Sequence, residues 1–153
     1  TGTLGSATVF PSGKILNVEQ NQFTATSSTA SNDYGSTATA DNITISQNNS
    51  QILISVYSGM AHPDSDQINP TIQRAISGGA TTDDLTGGYS DGMARIKGNF
   101  WQPIYFEWLD SPMQSKDTVI TYTVRFKNSD DSTTVYFAHS NTYSRIRLTE
   151  IAV

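Results

Sequence analysis

The feature that most constrains the fold is a strict alternation late in the chain. Ile120, Tyr122, Val124 and Phe126 are interleaved with Thr121, Thr123, Arg125 and Lys127. A period of two puts successive side chains on opposite faces, so this is a strand with one face in a core and one in water. Asn128-Ser-Asp-Asp-Ser132 follows, with side chains that bond their own backbone and favour turns. A second apolar run, Thr133 to His139, is then expected to return antiparallel as a hairpin partner.

The rest of the chain repeats that theme. Lys14 to Phe23 reads as a first strand, Asn42 to Ser46 as a short one, and Gln51 to Tyr57 as the most apolar strand of the front half, hence central. Gln47 to Ser50 has turn composition, which predicts a second hairpin over 42–46 and 51–57. Thr24 to Thr39 is either a long loop or a weak strand. His62 to Pro70 reads as a loop. Thr71 to Ile76 alternates as a strand would, with a single helical turn as the alternative. Ser77 to Gly92 is Gly- and Asp-rich, and such long connections are commonly functional. Pro103 lacks an N–H and limits which strand edge the stretch that follows can occupy.

Only 36% of the 153 residues are hydrophobic and 15% charged, the balance being mostly Ser, Thr, Asn, Gln and Gly. No apolar stripe of helical period builds up. The prediction is an all-β fold, an antiparallel β-sandwich or jelly roll of about eight strands. Residues 14–153 are expected to form one domain and 1–13, rich in Gly, Ser and Thr, an arm or linker. If the chain is part of something longer, this arm is the expected joining end.

The net charge of −5, with basic residues scattered apart from Arg145 and Arg147, argues against nucleic acid. The longest apolar runs fall far short of the roughly 20 residues that a membrane span needs. The absence of cysteine removes disulfides, thiolate metal sites and Cys nucleophiles together. No cofactor motif is present.

The last third of the chain carries a resemblance. Leu109-Asp-Ser-Pro112, Thr121-Tyr-Thr-Val124 ahead of Arg125-Phe126, Thr134-Val-Tyr136 and Ile146-Arg-Leu-Thr-Glu-Ile151 resemble the C-terminal β-domain of phage tail-fibre and other virion structural proteins. Gly13-Lys-Ile-Leu16, Ile43-Thr-Ile45 and Gln51-Ile-Leu-Ile54 add weaker likeness at the front. The resemblance implies a jelly-roll-like sandwich, homotrimeric, on the exterior of a virion, touching other virion proteins and a host surface glycan or protein. It implies no catalytic residues. The segment from His62 to Gly92 departs from the family pattern.

The closing strand breaks its own alternation. Ile146 and Leu148 share a face, but Glu150 stands where an apolar residue is expected and Ile151 falls opposite. Two explanations are open: a β-bulge or fraying near Thr149, or a second face covered by a neighbouring subunit.

Candidate chemistry is sparse. Asp64 and Asp66 could begin a calcium site, but the loop lacks the glycine and closing Glu of an EF-hand, and solvated turn carboxylates explain them. Asp83, Asp84, Asp130 and Asp131 read the same way. His62 and His139 are far apart in sequence with no evident third metal ligand. Glu107, beside Trp108, is a candidate acid, although glycoside hydrolysis needs two carboxyls about 5–9 Å apart, and an outward strand position explains it. Aromatics in polar loops are the better hint. Tyr89, Trp101 and Tyr143, with Asp91 nearby, are the residue types that stack on and hydrogen-bond a sugar. A core-anchor role is the alternative for Trp101. The ligand-binding candidates are therefore Asp64, Asp66, Tyr89, Asp91, Trp101 and Tyr143 on a non-enzymatic module.

Overall fold

A computed structural model describes residues 12–63, 67–86, 92–129, 133–139 and 142–153. They form β1 (Ile15–Phe23), β2 (Ser27–Thr29), β3 (Ser36–Thr44), β4 (Gln51–Ala61), β5 (Gln67–Ile76), β6 (Thr81–Thr82), β7 (Ile96–Lys97), β8 (Gln102–Asp110), β9 (Val119–Asn128), β10 (Val135–Ala138) and β11 (Ser144–Ile151). Every pairing is antiparallel. One sheet has the order β1-β11-β4-β8, a second β3-β9-β5-β6 with β7 also on β5, and β10-β2 forms a small third.

With β6 and β7 taken as one interrupted strand and β2 and β10 set aside, eight strands remain. The first sheet then holds the first, eighth, third and sixth, and the second holds the second, seventh, fourth and fifth. This is the strand order of a jelly-roll sandwich, as expected. The strands beyond eight are short pieces of two to four residues.

The period-two pattern decides which residues fill the core. Ile120, Tyr122, Val124 and Phe126 on β9 are fully buried, facing Ile52, Ile54 and Val56 of β4 and Ile146 and Leu148 of β11. Removing each such side chain from water contributes roughly 1.5–3 kcal/mol. β10 closes the gap between the sheets. Phe137 stacks on Phe126 of the second sheet with ring centroids 5.4 Å apart and meets Phe106 of the first edge-on at 6.5 Å.

Both expected hairpins are absent. β9 has β3 on one side and β5 on the other, so the returning strand has no free edge to join. β10 pairs with β2 instead. Asn128 is buried, and its amide donates to the Thr133 carbonyl at 2.6 Å, closing a crossover between sheets. Likewise β3 and β4 lie in different sheets, and Gln47–Ser50 is the link that carries the chain across. Turn composition favours a reversal of direction but does not say whether the chain re-enters the same sheet. In a jelly roll it changes sheet.

Other expectations resolve along the same lines. The region read as loop or weak strand contains β2 and the start of β3. The loop assigned to His62–Pro70 is in part strand, since β5 begins at Gln67. It tolerates Pro70 because the Pro70 carbonyl accepts the Met93 N–H at 2.7 Å on the side away from β9. The residue's own missing donor therefore faces the interrupted edge between β6 and β7, where no ladder bond is lost. Thr71–Ile76 is strand, not a helical turn. Pro103 lies on an edge strand, β8.

The break at Glu150 has another cause than a bulge. β11 pairs with β4 in unbroken register from Ser144 to Ile151, and the irregularity against β1 lies on β1, between Ile15 and Asn17. Glu150 points inward with no exposed surface. Its Oε1 accepts the Ser46 N–H at 2.8 Å, the Gln47 N–H at 3.2 Å and the Ser50 hydroxyl at 2.6 Å. A carboxylate replaces the expected apolar residue because it satisfies the orphan donors of the β3–β4 crossover.

Asp110 makes a second buried anchor at the same end. The register places Glu150 and Asp110 on either side of Ile52. Asp110 crosses from β8 to the second sheet, accepting from Arg74 Nη1 at 2.7 and 2.9 Å and from the Tyr122 hydroxyl at 2.7 Å. Burial, and then the adjacent Asp110 charge, push the Tyr122 phenol well above its ordinary range.

Candidate ligand-binding surfaces

The end of the first sheet opposite Glu150 carries a ring cluster. β4 runs out at Ala61, and His62 continues as a bridge to Tyr136, with paired backbone bonds of 2.8 and 2.9 Å. Gln102 pairs with Ala61, so Trp101, immediately before it, is set beside His62. The indole and the His62 imidazole lie 4.7 Å apart at 41°. The His139 imidazole, just after β10, meets the indole edge-on, also at 4.7 Å. Tyr136 completes the group, 5.6 Å from Trp101 and 6.4 Å from His62.

Two chain segments, the end of β4 and β10 with the residue after it, thus pack against one indole while 38% of Trp101 remains exposed. Trp101 is not a core anchor. It is a supported ring at the rim, with an apolar face and an N–H donor, suited to stacking on the face of a sugar or on another ring.

Tyr143 belongs to the same end, 51% exposed one residue before β11, but it is not part of the ring cluster. Its backbone carbonyl presses on Gly59 so closely that a Cβ there would lie 2.6 Å from it. Glycine at 59 is what lets the Tyr143 loop lie against β4. Below the rim, the Ser58 hydroxyl donates to the Phe137 carbonyl, and the Ser144 hydroxyl accepts the Gly59 N–H at 3.3 Å, tying β4, β10 and β11 together.

Of the six candidates read from the sequence, Trp101 and Tyr143 share this end, while Asp64, Asp66, Tyr89 and Asp91 lie outside the described residues, as do Asp130 and Asp131. Asp84 is not a free turn carboxylate. It accepts from the Thr71 hydroxyl, and from the Thr86 N–H and hydroxyl at 2.9 and 2.6 Å, and so fastens the loop after β6 to β5. Asp83 accepts from the Gln73 amide at 2.6 Å and lies 3.6 Å from Arg125. The two histidines, unrelated in sequence, meet through Trp101. Among the described residues no three His, Asp or Glu converge as a metal set.

A second surface was not foreseen. The outer face of the first sheet holds a shallow groove of about 240 Å³. The register sets two rows across it: Arg145, Tyr57 and Tyr105, then Arg147, Ser55 and Glu107. Glu107 is exposed, as its outward strand position suggested, and accepts the Ser55 hydroxyl at 2.7 Å. The Tyr105 phenol, then Ser55, hold its carboxyl below the usual range, while Glu107 pushes Tyr105 up. Alternation showed that Arg145 and Arg147 share a face, and Tyr105 and Glu107 another. Only the strand order reveals that these are the same face, two strands apart.

Comparison with protein-family models and with curated proteins finds no match.

Proposed function

We propose that this chain is a non-enzymatic structural domain of a virion, a tail-fibre or receptor-binding module that acts as a homotrimer on the particle exterior and presents its Trp101 end to a host surface. The observation that carries this reading is the half-open indole in contact with two imidazoles and a phenol at one end of the sandwich. Such an end offers an aromatic platform at the tips of rigid strands, the placement that recognition loops use. The late-chain likeness to virion β-domains supports the particle setting, and the jelly-roll strand order is the architecture that likeness implies.

The groove on the outer sheet favours binding over cleavage, since Glu107 is the one carboxylate among its lining residues and two-carboxylate hydrolysis needs a partner acid. The test is an array of neutral bacterial surface polysaccharides probed with the intact chain and with Trp101→Ala. Retention by at least one polysaccharide, lost in the variant, is expected. Binding that survives Trp101→Ala overturns the role of the rim. No binding by the intact chain moves the reading to its competitor.

That competitor, a capsid-decoration or tail-assembly protein without a receptor, is favoured by a different observation. Ile15, Val18, Leu109 and Met113 are exposed toward the Glu150 end, Ile15 and Val18 on one edge strand and Leu109 on the other, and apolar side chains exposed on both edges of one end suit a protein contact. Light scattering addresses the assembly directly: a clean monomer at high concentration contradicts the trimer.

A further inference from the structure

We propose that the groove on the outer face of the β1-β11-β4-β8 sheet binds a carboxylate-bearing sugar residue, its carboxylate held by Arg145 and Arg147, its ring lying on Tyr57 and Tyr105, and its hydroxyls donating to Glu107. This site is separate from the Trp101 rim and does not rest on the reading of that rim.

The charge arrangement is the first argument. The protein is acidic, with fourteen Asp and Glu against nine Lys and Arg. Yet two guanidiniums stand in consecutive outward positions of the strand between β1 and β4. Among the described residues neither has an ion-pair or hydrogen-bond partner. At about 3.4 Å rise per residue they are roughly 7 Å apart, and like charges so placed repel. An anion between them relieves that repulsion, and the planar guanidinium fork suits a carboxylate in particular.

The opposite wall is the second argument. Strands lie about 4.8 Å apart, so Glu107 on β8 sits roughly 10 Å across β4 from the Arg147 column. That is the span of one substituted pyranose ring. Tyr105 is 60% exposed and Tyr57 half-buried beside it, which supplies an apolar surface between the cationic and anionic walls. Glu107 is already ionised and oriented by Ser55, and accepts hydroxyl hydrogens as well. The volume of about 240 Å³ fits a single sugar unit rather than a long chain.

The test is amide NMR titration of the intact chain with methyl glucuronoside, methyl N-acetylneuraminoside and neutral methyl glucoside. The acidic glycosides are expected to shift the amides of β11, β4 and β8 around Arg145, Tyr57 and Glu107, with a dissociation constant on the order of millimolar. The neutral glucoside is expected to bind at least ten-fold more weakly. Preference for one acidic glycoside over the other tells a uronic from a sialic source.

Arg147→Ala should weaken the acidic glycoside at least ten-fold, Arg147→Lys less, and Glu107→Gln two- to five-fold, while Arg125→Ala, on β9 of the other sheet, leaves it unchanged. Because Trp101→Ala reads the rim and not the groove, failure here is distinguishable from failure of the receptor reading. Equal shifts from the neutral glucoside overturn the proposal. So does a homo-oligomer whose contact buries Arg145 and Arg147, seen as a change in sedimentation on Arg147→Ala.

Discussion

The two ends of the first sheet solve opposite problems. At the Ile52 end, Glu150 and Asp110 point into the sandwich and are matched by backbone donors, a hydroxyl, a guanidinium and a phenol. At the Ala61 end, Trp101 and Tyr143 turn outward, and the rings that touch Trp101 come from His62, Tyr136 and His139. One end spends its polar side chains on closing crossovers between sheets. The other supports aromatic surface without burying it. On the proposed reading, stability lies with the first end and recognition with the second.

The largest test of this contrast is Glu150→Ala. It leaves a buried hydroxyl and two part-buried N–H groups without their acceptor, so a loss of about 3 kcal/mol or more is expected in denaturant unfolding. Glu150→Gln keeps one carbonyl oxygen and should lose about half of that. If both variants unfold like the parent, the β3–β4 crossover is held by something else.

Tyr122→Phe comes next, with an expected loss of about 1.5–3 kcal/mol for a buried hydrogen bond to a charged group. It also carries a pH signature. The folded phenol titrates above its unfolded value of about 10. The folded state therefore retains a proton that the unfolded chain releases. This contribution is whole below pH 10 and declines as pH rises beyond it, by about 1.4 kcal/mol per unit. Unfolding measured from pH 8 to 11.5 should fall more shallowly in the Phe variant. Parallel curves would show that Tyr122 is not the group responsible.

Gly59→Ala probes the open end. The added methyl meets the Tyr143 carbonyl, so the Tyr143 loop must shift. A loss of about 1–2 kcal/mol is expected, with amide shifts concentrated at 142–144. Shifts spread through the second sheet would mean that the rim is not independent of the core.

Much of this fold was legible in the sequence, and the reasons are specific. Alternation identified the inward faces of β9 and β4 correctly, because burial of one sheet face imposes a period of two on any strand. It also placed Glu107, Arg145 and Arg147 outward. What alternation cannot encode is which strands are neighbours. Both hairpins were therefore misassigned, since the Asn- and Ser-rich stretches after β3 and after β9 have the composition of a hairpin turn, yet β4 and β10 each belong to a different sheet from the strand before.

The sites follow the same rule. Trp101 and Tyr143 were recognisable as aromatic residues among small polar ones. Their companions were not, because His62, Tyr136 and His139 reach Trp101 only through the bridge of His62 to Tyr136 and the pairing of Gln102 with Ala61. The outer groove needed the order β11-β4-β8 before its two halves could be joined. Glu150 did leave a signal, a charged residue at an inward position. That signal marked a buried acceptor with donors from a distant turn, not an irregular strand.

The most direct measurement of the central contrast sets the thermal unfolding of Trp101→Ala beside that of Glu150→Ala. With over a third of Trp101 already in water, its removal should lower the midpoint by only a few degrees while polysaccharide retention is lost. Glu150→Ala should lower it by ten degrees or more, at about 4 °C per kcal/mol or a little less for a chain of this size. A Trp101→Ala midpoint as low as that of Glu150→Ala would make the indole a structural anchor and contradict the division between a closed end and a recognising one.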